Sequence, residues 1–215
     1  MTERFALYYA PGRDTPLGQR AERWLTQPDL VAQTVSARRY GFHATLKAPM
    51  ELAPGTDRAQ LEMALGAFAG QHGPVEMGRL GAHLIDGFLA LIPVSQPQML
   101  TDVAATVVTA FEGFRAPLEA ADRDRRLKTP LTARQIELLD SYGYPYVLEQ
   151  FQFHMTLTDR LPGEQRAPMK ERAAQWFADE LAGPIVLDRL VLFHEAEPGA
   201  VFRRLDDFVL RGSRP

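Results

Sequence analysis

Two short stretches of this chain carry the same chemical groups in the same order. Phe42-His43-Ala44-Thr45-Leu46 and Phe153-His154-Met155-Thr156-Leu157 agree at four of five positions, 111 residues apart (154 − 43). In an extended strand, side chains two apart project to one face. His43 and Thr45 therefore point together, backed by Phe42, Ala44 and Leu46, and His154 and Thr156 repeat the pattern over Phe153, Met155 and Leu157. An imidazole takes or gives a proton near neutral pH. A threonine hydroxyl donates a hydrogen bond to a non-bridging phosphoryl oxygen. Two such couplets meeting in one cleft suit displacement at a phosphodiester. One histidine would activate water and the other protonate the leaving oxygen, while both threonines hold the phosphoryl group. Which histidine is the base stays open at this stage. None of these steps requires a metal.

Other residues are placed to help. Lys47 shares the face of His43 and Thr45 by the period of two and is expected to reach the cleft. Gln152 shares the face of His154. Tyr8 and Tyr9 point to opposite sides of the first strand, so one is core and the other near the site. Tyr40, Tyr144 and Tyr146 flank the motifs and offer surfaces for stacking on a base or sugar. Arg38 and Arg39 precede the first motif. Arg123, Arg125, Arg126 and Lys128 lie in a charged stretch, 112–130, which is long enough to serve as a lid. From these groups we take Lys47, Tyr8, Tyr40, Tyr146, Gln152 and Arg126 as substrate-binding candidates. His72 reads as a helix C-cap, and His83 and His194 as surface residues near hairpin turns. The histidines and acids show no metal-ligand spacing. With no cysteine there is no thiolate nucleophile, zinc ribbon or iron–sulfur cluster. No metal and no cofactor are expected.

The elements that must carry these groups follow from the hydrophobic pattern. Strands are predicted over 5–10, 42–52 (with Pro49 implying an edge or a strand end), 75–84 and 87–94, and within 146–158. A last hairpin is predicted from 185–193 and 201–210. Helices are predicted over 16–25, 57–71, 97–111, 132–142 and 165–181. The segment 28–36 reads as a loop and 112–130 as irregular. Asp86-Gly87 and Pro198-Gly199 mark turns, and Thr132 with Gln135 forms a capping box. Hairpins mixed with helices predict an α+β fold with mainly antiparallel sheets. One domain spanning 1–215 is expected, built from two repeats at approximately 36–112 and 131–210. A glycine-rich phosphate loop is missing.

Composition limits the partners. The 215 residues carry 24 basic and 27 acidic side chains, net −3, and 46% apolar residues. That balance suits a globular domain and excludes a general nucleic-acid coat protein. It favours small phosphorylated substrates over long RNA, with an RNA terminus as the alternative. No apolar run is long enough to span a bilayer and no targeting segment is visible. The expectation is a cytoplasmic protein with no membrane and no protein partner.

The paired His-x-Thr motifs, half a chain apart, resemble those of the two-histidine (2H) phosphoesterase superfamily. The longer stretches RRYGFHATLKAP and YGYPYVLEQFQFHMTLT are similar to its branch named for phosphonate metabolism. The resemblance covers most of the chain. It implies a bilobal α+β fold of two pseudo-symmetric lobes, each an antiparallel sheet with helices outside, and a cleft between them. It also implies metal-independent cyclic phosphodiesterase or RNA 2′–5′ ligase-type chemistry. His43 and His154 would be the acid/base pair, with Thr45 and Thr156 as their partners. By analogy, a small cyclic sugar phosphate, such as a ribosyl 1,2-cyclic phosphate, is one candidate substrate. Two readings compete: a cleft that binds a nucleotide or RNA end without turnover, and a metal-dependent hydrolase with His43 and His154 as ligands.

Overall fold

The computed structural model describes residues 3–212. β1 (Arg4–Tyr9) is almost wholly apolar and buried. α1 (Pro16–Leu25) starts where Thr15 accepts from the Gly18 N–H and Pro16 pre-sets the first turn. It buries Leu17, Ala21, Trp24 and Leu25, as their spacing predicts. The segment expected as a loop is instead helical: a 3-10 stretch, Pro28–Gln33, runs into α2 (Val35–Tyr40). β2 (Ala44–Met50) lies at a sheet edge, where Pro49 removes no ladder hydrogen bond from a central strand. α3 (Arg58–Gln71) begins at Asp57 and Gln60, which cap each other reciprocally.

The single strand predicted over 75–84 is two, β3 (Val75–Gly78) and β4 (Leu80–Ile85). Gly78 has φ +73, which turns the chain out of one sheet and into another. β5 (Phe88–Pro93) completes a hairpin in which Asp86 and Gly87 both have positive φ, +46 and +88, the signature of a tight two-residue turn. α4 (Gln98–Ala110) follows as predicted. The charged stretch 112–130 is not irregular. It holds a 3-10 turn, Glu112–Phe114, and α5 (Ala120–Leu127), which buries none of its residues fully. Arg123 clamps α5 to the next helix through both carboxylate oxygens of Asp140, at 2.6 and 3.0 Å. α6 (Ala133–Tyr142) carries the Thr132–Gln135 capping box. β6 (Met155–Thr156) is only two residues long, and α7 (Gly163–Trp176) follows it. The last predicted strands become β7 (Ile185–Leu187), β8 (Arg189–Glu195) and β9 (Arg203–Val209).

All strand pairs are antiparallel, in three sheets ordered β2-β1-β8-β9, β4-β5-β6 and β3-β7. The α+β class is therefore as predicted, but the sequence repeats do not coincide with the sheets. The C-terminal hairpin β8–β9 completes the sheet of β1 and β2, and β6 docks on the N-terminal hairpin β4–β5. α3 packs on β8 and β9, α4 on β2 and β3, and α7 on β4 and β5. One side of β1 (Phe5, Leu7, Tyr9) joins the main core beneath these helices. The other side (Ala6, Tyr8, Ala10) forms a second apolar cluster with Val191, Phe193 and Phe202, packed against Tyr40. That second face supports the first His-Thr motif. Among the described residues no helix is long and apolar enough to cross a membrane.

Candidate active site

His43 stands in the turn between α2 and β2. Gly41 makes the turn with φ +74 and ψ 174, a conformation open essentially to glycine. Its carbonyl accepts a hydrogen bond from His43 Nδ1 at 2.9 Å. A carbonyl cannot donate, so Nδ1 carries the proton and Nε2 of the neutral ring holds a lone pair. The Thr45 hydroxyl lies 3.3 Å from Nε2, as two groups on one strand face should. The Tyr8 ring stacks on the imidazole at 3.8 Å and 24°, with Tyr40 and Phe193 at 6.1 and 6.2 Å. Burial in this aromatic setting pulls the His43 pKa down to about 4. The Gly41 hydrogen bond opposes the shift and the neighbouring His154 adds to it. At neutral pH His43 is therefore an uncharged base.

The second motif repeats the geometry in another sheet. His154 Nδ1 donates to the carbonyl two residues back, Gln152, also at 2.9 Å, so its Nε2 is again the nitrogen left for chemistry. Phe153, Met155 and Leu157 are buried, while His154 and Thr156 between them are half-buried. The motif is held at both ends. Gln96 accepts from the Phe153 N–H at 2.8 Å and donates to the Phe151 carbonyl at 3.1 Å, and the Trp24 indole donates to the Leu157 carbonyl at 2.9 Å.

The two motifs open on adjoining cavities of about 420 and 280 Å³, which share Thr45 and Tyr144. Tyr8, Tyr40, His43, Thr45 and Thr156 line the larger, together with Arg4, Arg125 and Arg126 and no carboxylate. His154, Gln152, Tyr146 and Phe88 line the smaller. Of the ten residues nominated from sequence, nine face these cavities.

Lys47 does not. Its side chain is buried, donating to the Val108 carbonyl at 3.1 Å and to Glu112 at 2.7 Å. The reason is a β-bulge: Tyr8 of β1 pairs with Thr45, but Leu7 pairs with Lys47, so two residues of β2 oppose one step of β1. The extra residue flips Lys47 to the core side.

The remaining cations divide by partner. Arg38 binds the Val31 and Thr34 carbonyls. Arg39 binds Glu195 at 2.5 Å and lies over Tyr40 at 5.0 Å. Arg4 also pairs with Glu195, whose carboxylate is fully buried. Burial opposes ionisation of Glu195, but hydrogen bonds from Arg39, Arg4 and the Gly199 N–H outweigh it and hold its pKa below the ordinary value. Arg4 was not nominated from sequence, although it shares the face of Tyr8 by the period of two. Arg126 lies over the Tyr144 ring at 5.6 Å, and burial lowers its pKa. Burial raises the Tyr144 pKa to about 12, against the opposing effect of Arg126, so its phenol remains protonated. His72 caps α3, its Nδ1 on the Phe68 carbonyl. His194 pairs with Glu3 at 2.6 Å. His83 sits within β4 near the Asp86–Gly87 turn; it shares a face with Thr156 across Ala90 but lines neither cavity. Among the described residues no three His, Asp or Glu side chains gather as a metal site.

Comparison with known proteins adds three findings. Residues 45–203 match the family described as "Protein of unknown function (DUF1045)". Two proteins named ribose 1,5-bisphosphate phosphokinase PhnN are similar. That of Janthinobacterium sp. (strain Marseille) is 35% identical over 93% of this chain and 49% of its own length. That of Laribacter hongkongensis (strain HLHK9) is 34% identical over 98% and 53%. The chain thus spans about half the length of these curated relatives. Among solved structures, TT0787 of Thermus thermophilus superposes with a TM-score of 0.50 at 16% identity, covering 98% of this chain and all of that one. E. coli LigT complexed with 3′-AMP gives 0.45 at 12% identity, covering 98% and 99%.

Proposed function

The chain belongs to the DUF1045 family and shares the α+β fold of TT0787, and from that premise and the paired His-Thr motifs we propose that it hydrolyses a small cyclic phosphodiester without a metal. The observation that carries this reading is the matched posture of the two imidazoles. Each fixes Nδ1–H on the carbonyl two residues back, and the two rings line adjoining cavities. In the proposed reaction, the neutral His43 takes a proton from water as the oxygen attacks phosphorus. The ring P–O bond breaks, and His154 protonates the departing oxygen. Water and cyclic ester give one phosphomonoester. Thr45 and Thr156 donate to the non-bridging oxygens, and Tyr8 keeps the His43 ring in plane. Each well-placed proton-transfer group is worth about 10²–10⁴ in rate.

A cavity of about 420 Å³ suits a sugar phosphate or nucleotide. The names of the curated relatives, which specify a phosphorylated ribose, support a sugar phosphate. Their phosphokinase activity is not extended to this chain, which contains no Gly-x-x-x-x-Gly-Lys-Ser/Thr loop. The test is incubation with nucleoside 2′,3′-cyclic phosphates and ribose cyclic phosphates in EDTA, followed by phosphorus NMR. Conversion to a monoester is expected. Ligand signals that shift without turnover would point to a binding module, and activity lost to EDTA and restored by a metal would point to a metallohydrolase.

A further inference from the structure

The larger cavity contains three arginines, and they are not equivalent. Arg4 is committed to the buried Glu195. Arg125 is paired with Asp122. The Arg126 side chain makes no hydrogen bond or ion pair among the described residues, and its Nε is buried with no partner. Asp122, one turn back on α5, is ion-paired with Arg125 and acts on Arg126 through its charge alone, and among the described residues no carboxylate lines the cavity. A guanidinium lodged in a wall with an unmet N–H favours an anion that brings its own acceptors.

The proposed reaction assigns Arg126 no oxygen of the scissile phosphate. In the proposed reaction its oxygens are served by Thr45, Thr156 and the two histidines. Arg126 reaches the cavity from α5, a separate element, stacked on the protonated Tyr144 that borders both cavities. A planar fork beside a phenol donor is suited to a phosphomonoester dianion, which offers three acceptor oxygens and two charges.

We propose that Arg126, with Tyr144, forms a subsite for a second phosphate, so that the substrate is a cyclic phosphodiester also bearing a phosphomonoester. The cyclic-ester half of this statement rests on the function proposed above; the second-phosphate subsite is separable from it.

The experiment therefore reads binding and turnover independently. Calorimetry on the full chain compares two ligand pairs: adenosine 3′-phosphate with adenosine 3′,5′-bisphosphate, and ribose 1-phosphate with ribose 1,5-bisphosphate. In at least one pair the bisphosphate should bind about tenfold tighter or better, and Arg126→Gln should bring that ratio close to one. Ratios near one in both pairs overturn the subsite. So does an Arg126→Gln protein that weakens both members of a pair equally, since Arg126 would then serve the shared phosphate. If Arg126→Gln fails to fold, the wild-type ratio alone decides. Adenosine 2′,3′-cyclic phosphate, with and without a 5′-phosphate, is assayed in parallel for turnover. An intact affinity ratio without turnover of either ester keeps the subsite and removes the hydrolase reading.

Discussion

Burial and the proximity of His154 keep His43 neutral down to about pH 4. A base works only unprotonated, so the acid limb of kcat/KM, which reports the free enzyme, should bend near pH 4. A bend at or above the ordinary histidine value of about 6.5 would give the base role to another group. Stability carries the same signature. An unfolded chain takes up this proton near 6.5 and the native one only near 4, so protons favour unfolding between these values. His43 should make the protein less stable as the pH falls through that window. The couplets themselves were legible from residue type and spacing, because the strand period dictates which side chains share a face. The pKa was not legible, because it depends on Tyr8, Tyr40 and Phe193 closing around one ring from three separate segments.

Local signals held where one residue decides the backbone. The reciprocal cap at Thr132, the paired positive φ values at Asp86 and Gly87, and the edge position of the Pro49 strand all read directly from the chain. Signals failed where tertiary contact decides. α5 has no apolar stripe and resembles a solvated loop; its place on α6 comes from the Arg123–Asp140 clamp. The bulge in β2 has no sequence marker, and it misled the placement of Lys47. Its consequence is testable. Lys47→Met should leave kcat/KM within about threefold of the parent, since the ammonium lies outside the cleft. It should lower stability by about 1–3 kcal/mol in urea titration, because the Val108 carbonyl loses its donor while Glu112 keeps Arg115. A large loss of kcat/KM with unchanged stability would return Lys47 to substrate binding.

At the scale of the molecule, the two His-Thr motifs sit on edge strands of different sheets, and each sheet is completed by strands from the other end of the chain. Separate folding of the sequence halves would strand β1 and β2 without β8, and β6 without β5. The protein should therefore unfold in one transition by calorimetry and by circular dichroism together; two resolved transitions would mean that the halves are independent units. Under the proposed function, the exchange is what lets two motifs 111 residues apart address one substrate. The most direct test of that convergence is cyclic phosphate hydrolysis by His43→Ala and His154→Ala, each checked for native circular dichroism. Both variants should lose about 10²–10⁴ in kcat while retaining product affinity. Parental turnover in either one would contradict the claim that two imidazoles act on a single phosphorus.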